Sequence, residues 1–376
     1  LKNEELILRE NHKDIAAATK KEMSRAFLDR LTLNEKRIGK MAQALRDIVH
    51  LPDPVGEVVW GSTRPNGLRI RQVRVPLGVV LIIYEARPNV TTDAAGLCFK
   101  SGNVCILRGG SDSFHSNTIL VKILTDVLKA NGLPEEIITY IPFTERDAVT
   151  RLIQYNQYID VIIPRGGEDL IQMIVEKSRI PVVYHAKGVC CAFIDESADK
   201  EMARTIVLNA KTQRPGVCNS IESLLIHKDY SGKEELVREL LSHKVEIRGD
   251  ASVRSWHKDV KAVSEQDWDT EYLDLILSVR EVTSTEEAIE HINRHGSHHS
   301  DTIVTQNYNH AEKFLKEVDS ATVYVNASTR FTDGGEFGLG AEIGISTQKL
   351  HCRGPMGLRD LTSLKYIIYG EGQTRE

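Results

Sequence analysis

Apolar positions change their spacing more than once along this 376-residue chain. Over residues 4–48 they recur at helical intervals, with Leu31-Thr32 and Asn34 as punctuation, and Pro52-Asp53-Pro54 ends the stretch. Residues 68–75 alternate instead (Leu68, Ile70, Val73, Val75), as a half-exposed strand should. The run Val79-Val80-Leu81-Ile82-Ile83 does not alternate at all, which marks a strand buried on both faces. After it the spacing predicts helix 91–100, strand 104–107, helix 115–130, strand 137–141, helix 147–155, strand 161–163 and helix 169–177. Buried strands alternating with amphipathic helices predict an α/β fold with a doubly wound parallel sheet.

The pattern restarts after Lys187. Strands are expected at 190–194, 223–226, 275–282, 302–305 and 322–325, and helices at 200–211, 233–241, 285–293 and 310–317. This second α/β block reads as a separate domain. The glycine-rich stretch 332–344 reads as an ordered functional loop. A late strand, 364–369, finds no evident partner inside either block. Strands 68–75 and 364–369 thus present edges that need cover. Pairing across a two-fold axis would supply it, so a homodimer or a dimer of dimers is expected.

Charge and composition narrow the partners. With 48 basic and 53 acidic side chains there is no basic footprint, so nucleic acid is not expected. The longest apolar run, 75–84, is too short to span a bilayer and contains Pro76 and Gly78. The start shows no secretory pattern, and Leu1 in place of Met points to trimming or to a longer parent chain. Six cysteines occur without a CxxC pair. Cys98, Cys105, Cys190 and Cys191 lie in apolar segments and read as core residues. These facts favour a reducing, cytoplasmic setting.

Three features carry candidate chemistry. Strands 104–107 and 161–163 each run into Arg-Gly-Gly, as Arg108-Gly109-Gly110 and Arg165-Gly166-Gly167, and then into a helix. Glycines there let backbone N–H groups approach an anion at a helix N-terminus, and an arginine adds a fork for phosphate. One such tripeptide reads equally as a surface turn; two at equivalent places point to a phosphate-bearing cofactor. The second feature is Cys218, in the polar stretch Gln213-Arg214-Pro215-Gly216-Val217-Cys218-Asn219-Ser220. Near Arg214 it reads as a nucleophile, or as a cysteine that happens to lie in a loop. The third is a histidine run, His291, His295, His298 and His299. Its spacing raises the question of zinc. No nearby cysteine or glutamate pattern completes a site, so surface histidines, or polar ligands for an anionic substrate such as His299, fit better.

Taken together, these segments resemble the γ-glutamyl phosphate reductases of the aldehyde dehydrogenase superfamily. The resemblance covers essentially the whole chain. It is most specific over residues 75–89 and 282–303, with the Cys218 segment in support. It implies an aldehyde dehydrogenase-like fold: a cofactor domain over 1–186 with an oligomerisation strand at 68–76, a catalytic domain over 187–350, a return at 351–364 and an oligomerisation tail at 365–376. It also implies that Cys218 is the nucleophile. Arg108 would face a ribose 2′-phosphate, and hence NADPH. Gly166 and Gly167 would lie beside the pyrophosphate, and Glu271 would hold the nicotinamide ribose. Asn326, Ser328 and Arg330 would line the substrate mouth with Arg214, Arg330 taking the α-carboxylate.

Two departures stand out. Related dehydrogenases place an oxyanion-hole asparagine where this chain has Ala86, which leaves Asn89 and the Cys218 backbone N–H as donors. They also place a water-activating glutamate where this chain has His185, which is expected to turn toward other partners or to be too weakly placed to serve as that base. The reaction so implied is NADPH-dependent reduction of L-glutamyl 5-phosphate to L-glutamate 5-semialdehyde through a thioester on Cys218. It belongs to proline biosynthesis, with substrate supplied by a glutamate kinase and no metal required.

Overall fold

The computed structural model describes residues 1–185 and 187–375, apart from the side chains at 26 and 146. Ala186, the last residue of the expected cofactor domain, and Glu376, the last of the expected tail, lie outside the described residues. The chain divides into two compact units. The first comprises Leu1–Tyr184, Gly338–Gly344 and Pro355–Glu376; the second comprises His185–Phe337 and Ile345–Gly354. The chain therefore returns to the first unit already at Gly338, inside the stretch read from sequence as catalytic domain.

In the first unit the N-terminal helical stretch is three helices: α1 (Glu4–Lys20), α2 (Arg25–Leu31) and α3 (Glu35–His50). Asn34 starts the last of them because its side chain accepts the Arg37 N–H, satisfying a donor the helix cannot. Two sheets follow. Strands β1 (Val58–Thr63) and β2 (Arg69–Pro76) form an antiparallel ribbon. Strands β3 (Val79–Tyr84), β4 (Val104–Gly109), β5 (Ile138–Tyr140) and β6 (Val161–Arg165) form a parallel sheet in the order β5-β4-β3-β6. Helix α4 (Asn89–Lys100) links β3 to β4, and α5 (Phe114–Ala130) follows β4. Helices α6 (Arg146–Leu152) and α7 (Glu168–Lys177) flank β6. The chain builds outward from β3 and then returns to its other side, so the strand order switches between β3 and β6.

The tail strand, Thr362–Tyr369, corrects the expectation of an unpartnered edge. It pairs antiparallel with β2 of the same chain along its whole length, from Thr362 opposite Pro76 to Tyr369 opposite Arg69. The tail strand covers the free edge of β2, which β1 pairs on its other side, and keeps its own outer edge at the rim of the three-stranded sheet. Sequence distance hid the pairing, since a strand's partner is set by the path of the chain and not by its own residues.

The second unit is built on one seven-stranded, wholly parallel sheet. Its strands are β7 (Cys190–Ile194), β8 (Ile221–His227), β9 (Glu246–Gly249), β10 (Lys261–Ala262), β11 (Ile276–Val282), β12 (Ser300–Val304) and β13 (Thr322–Val325). They lie in the order β10-β9-β11-β8-β7-β12-β13. Every residue of β7, β8 and β12 is buried, because helices cover both faces. Helix α8 (Lys200–Thr212) crosses from β7 to β8, and α9 (Thr285–His295) precedes β12. Strands β9 and β10, which the sequence reading missed, are short; β10 has only two residues, too few for a period to show.

One buried ion pair closes the α8–β8 connection. Lys211 in the last turn of α8 and Glu222 in β8 are 0% and 1% exposed, with Nζ 2.6 Å from Oε2. Burial pushes the Glu222 carboxyl up to about 7 and the Lys211 amine down, while each partner opposes the shift of the other. Removing one partner leaves a charge or dipole in the core without compensation. Lys211→Met is therefore expected to cost roughly 3–5 kcal/mol. Lys211→Met with Glu222→Gln should recover a large part of that loss, as read from urea unfolding midpoints.

Candidate active site

The second unit gathers three loops at the amino ends of adjacent strands. Strands β8, β7 and β12 are neighbours, with Cys190 opposite Ile221 and Cys191 opposite Asp301. The residues just before them are therefore brought together: Cys218 before β8, His185 and Gly188 before β7, and His299 before β12. Ligand atoms of His185, Cys218 and His299 all lie within 4.8 Å of one another.

Backbone packing fixes where Cys218 sits. A Cβ on Gly188 would lie 2.2 Å from the Cys218 carbonyl oxygen and 2.5 Å from its Cα, so only glycine lets the two segments approach. The Cys190 thiol donates to the same Cys218 carbonyl at 3.1 Å. The next residue, Asn219, is stitched to the loop after β13. Its side-chain amide donates to Thr332 O at 2.9 Å, its backbone carbonyl accepts from Thr329 Oγ1 at 2.7 Å, and the Arg330 guanidinium donates to its Oδ1.

The thiol itself is held well below its ordinary pKa. Burial works against that, as it does for Cys190 and Cys191, whose thiols are pushed well up. The charge of His299, with hydrogen bonding and charge from His185, outweighs burial at Cys218. Each imidazole is anchored on its far side. His185 Nδ1 meets the Ile345 carbonyl at 2.9 Å, and His299 Nδ1 meets Ser300 Oγ at 2.8 Å. Ser300 Oγ continues to Thr332 Oγ1 at 2.7 Å, and Thr332 to the Tyr324 hydroxyl at 2.8 Å. The two imidazole rings meet edge to face at 5.4 Å. His185 thus stands beside the thiol with its Nδ1 engaged by a different partner, the Ile345 carbonyl. Ser300, Thr332 and Tyr324 were not singled out in the sequence; no local signal marks a hydroxyl as a histidine's support.

Of the residues expected at the substrate mouth, Arg330 lies in the electrostatic field of both Arg214 and Cys218. Burial and Arg214 lower its pKa, and Cys218 opposes them. Its Nε also donates to Gln213 Oε1 at 2.9 Å. Asn326 and Ser328 each hydrogen-bond within the chain. The Asn326 side chain accepts from the Thr305 N–H and donates to the Thr305 carbonyl, and its own φ is 55°. Ser328 is 5% exposed and caps the turn 329–331 by accepting the Arg330 N–H. Both shape the loop that carries Arg330. Glu271 lies near enough to Glu222 to help raise that carboxyl's pKa. The histidine run divides: His291 and His295 lie together, rings 4.7 Å apart, against Arg280 and Asp269, His298 contacts the Asp319 carbonyl, and His299 alone of the four stands with Cys218.

In the first unit both Arg-Gly-Gly turns stand at the carboxyl ends of parallel strands. Gly109 passes so close to Asn117 that a Cβ would meet its Nδ2 at 2.0 Å. Arg108 is 6% exposed and donates to Thr144 O at 2.9 Å; burial lowers its pKa, while Tyr140 and Glu85 oppose. The Nε atoms of Arg108 and Arg165 are both buried without a hydrogen-bond partner, which suits an oxyanion ligand. At α7 the Gly167 N–H donates to the Glu85 carboxylate at 3.0 Å, so a carboxylate sits where a phosphate was expected. Gly110, by contrast, lies on the backbone of Glu85 and Ala86, where a Cβ would meet Glu85 Cα at 3.5 Å. Asn89, the expected oxyanion donor, opens α4 and gives one amide N–H to Asp93 at 3.1 Å.

Comparison with known proteins agrees with this architecture. A sequence model described as the aldehyde dehydrogenase family matches residues 1–261 and 258–342. The γ-glutamyl phosphate reductase of Moorella thermoacetica is 56% identical over 375 residues, covering 99% of this chain and 90% of that protein. The γ-glutamyl phosphate reductase of Geobacter metallireducens is 54% identical over 372 residues, covering 98% of this chain and 89% of the relative. The crystal structure of γ-glutamyl phosphate reductase from Thermotoga maritima superposes with a TM-score of 0.96 at 46% identity, over 100% of this chain and 91% of that one.

The lowered pKa sets the pH window for alkylation. An ordinary thiol loses its thiolate as pH falls below about 8.5. Cys218 should keep its thiolate as pH falls further, losing it only near its own lowered pKa. Iodoacetamide should therefore still modify Cys218 rapidly at about pH 6.5. His299→Gln should shift the rate profile to higher pH. Peptide mass mapping of the alkylated site decides the matter; a Cys218 profile centred at the ordinary thiol value would contradict the assignment.

Proposed function

This chain belongs to the aldehyde dehydrogenase family and, within it, to the γ-glutamyl phosphate reductases, and we propose that it reduces L-glutamyl 5-phosphate to L-glutamate 5-semialdehyde with release of phosphate, using NADPH and a thioester on Cys218. The observation that carries this reading is the environment of Cys218: a thiol held as thiolate by two imidazoles, with Arg330 and Arg214 close by.

In this reading the Cys218 thiolate attacks the γ-carbonyl carbon, and the Cys218 backbone N–H stabilises the resulting oxyanion. The carbonyl re-forms as the C–O bond to phosphorus-bound oxygen breaks. The phosphate leaves with that electron pair and takes a proton held by the imidazoles. Arg330 and Arg214 attract the substrate's anionic groups. NADPH, when bound, supplies hydride to the thioester carbon. Collapse of the resulting alkoxide gives the aldehyde and restores the Cys218 thiolate. Arg108 and Arg165 are the residues we assign to cofactor phosphates, because each has a buried, unpartnered Nε. The buried thiols and the need for a free Cys218 suit a reducing cytoplasm. Among the described residues no helix is long and apolar enough to cross a membrane. Substrate arriving from a glutamate kinase places the reaction in proline biosynthesis. Homo-oligomerisation through the ribbon of β1, β2 and the tail strand, which exposes Trp60, Tyr366 and Ile368, completes the proposal.

A coupled assay with glutamate kinase, ATP and NADPH tests the activity directly. The reverse reaction tests the thioester. Water attacking an acyl group needs a positioned base, typically worth ~10²–10⁴-fold. His185, whose Nδ1 is taken by Ile345, stands where hydrolysing relatives place a carboxylate. Semialdehyde and NADP⁺ without phosphate should therefore yield a burst of about one NADPH per active Cys218, and added phosphate should restore turnover. Sustained NADPH formation in phosphate-free buffer, with glutamate as product, would overturn the reading. For the cofactor, Arg108→Ala should raise KM for NADPH by roughly tenfold or more and leave KM for NADH little changed. Equal effects on both would remove Arg108 from the 2′-phosphate site.

A further inference from the structure

The groups that activate Cys218 also form a metal-ligand set. Cys218, His185 and His299 each offer one ligand atom, and these lie within 4.8 Å of one another. A thiolate with two imidazoles suits a borderline-soft divalent cation of the Zn²⁺ class, whereas Mg²⁺ and Ca²⁺ prefer oxygen donors.

Three further features fit an ion rather than a chance cluster. The Nδ1 atoms of both histidines are held from behind, by the Ile345 carbonyl and by Ser300 Oγ, which fixes each ring and directs its other nitrogen. His299 Nε2 is buried and has no hydrogen-bond partner, and with its lone pair free a bound cation would satisfy it. The ligands come from loops before three adjacent strands, so the sheet holds them together. Tetrahedral zinc would bring the ligand atoms to roughly 3.3–3.6 Å of one another. Cys218 and His185 are only partly buried, so side-chain rotation can supply that contraction and solvent can supply the fourth ligand. The other acid–histidine group, Glu196, His227 and Asp229, has two exposed carboxylates and no such support.

We propose that Cys218, His185 and His299 bind a Zn²⁺-class cation in the substrate-free protein, and that occupation holds the nucleophile in a reversibly inactive state. The metal takes the Cys218 thiolate and an imidazole lone pair from each histidine as ligands, the proton shared within the thiol–imidazole cluster is released to solvent, and no electron is transferred. Sulfur's lone pair is then committed to the ion and unavailable for attack. Chelation of the ion returns the thiolate.

The test uses the full chain, freed of metal with EDTA and titrated with ZnCl₂ against a chromophoric zinc indicator. Iodoacetamide labelling of Cys218 is followed in parallel. One zinc per chain is expected, with labelling of Cys218 slowed in step with occupancy and restored by EDTA; MgCl₂ should give no protection. Cd²⁺ should give the ultraviolet charge-transfer band of a thiolate complex. His185→Gln and His299→Gln should each weaken binding more than about tenfold. Should buried His299→Gln fail to fold by circular dichroism, the partly exposed His185→Gln decides alone. Zinc that leaves Cys218 labelling unchanged, or binds His185→Gln as tightly as the parent, overturns the proposal. The inference goes beyond the reductase reading. Neither measurement uses substrate, so failure here leaves that reading intact, and failure of the coupled assay leaves the metal site standing.

Discussion

A thiol partly withdrawn from water, yet with its pKa held down by two imidazoles, is the constraint around which the site in the second unit is organised. Burial alone drives a thiol the other way, and Cys190 shows it. That thiol is wholly buried, bonds the Cys218 carbonyl, and has its pKa pushed well up. Cys218 differs because His299 and His185 face it. Each supporting contact keeps that arrangement in place. Gly188 permits the backbone approach, the 328–332 loop grips Asn219, and Ser300 and Ile345 hold the imidazoles. The Lys211–Glu222 pair ties together the two ends of the segment that carries the thiol. A buried ion pair is a weak source of net stability, so its use here is better understood as fixing one geometry for that segment.

The first unit poses a different electrostatic problem. Its two Arg-Gly-Gly turns look alike in sequence, yet they differ in the fold. Arg108 is buried and bonds a carbonyl, while the helix start after Arg165 already holds the Glu85 carboxylate and carries Glu168 and Asp169 in its first turn. A helix N-terminus attracts any anion, and here a side chain of the protein supplies one. An anionic cofactor at this turn must displace Glu85 or bind beside it through the arginines. The equivalence of the two turns holds for the backbone and not for the charge.

The reactivity of Cys218 and its capacity for metal arise from one cause. Imidazoles close enough to depress a thiol's pKa are close enough to share a cation with it, since both effects need a thiolate and nitrogen lone pairs within a few ångströms. His185 and His299 beside Cys218 thus make one cluster that is at once a thiol-activating environment and a soft-metal ligand set.

The sequence by itself determined most of the elements, the alternation of buried strands with helices, and Cys218 as a cysteine set apart in a polar turn. Those features are local. Continuous apolar runs such as 79–83 and 190–194 can be buried on both faces only in a covered parallel sheet, and a cysteine in a polar turn is visible from its neighbours. Tertiary structure decided what the nucleophile meets. His185 and His299 are 114 positions apart, and they reach Cys218 because β7 and β12 are adjacent, an order that crosses the chain's own sequence. It also gave Asn326 and Ser328 to loop construction and paired the tail strand with β2. Short-range pattern records how each segment buries its apolar face. Which distant segments share a strand edge depends on the path of the whole chain, and no single segment carries that information.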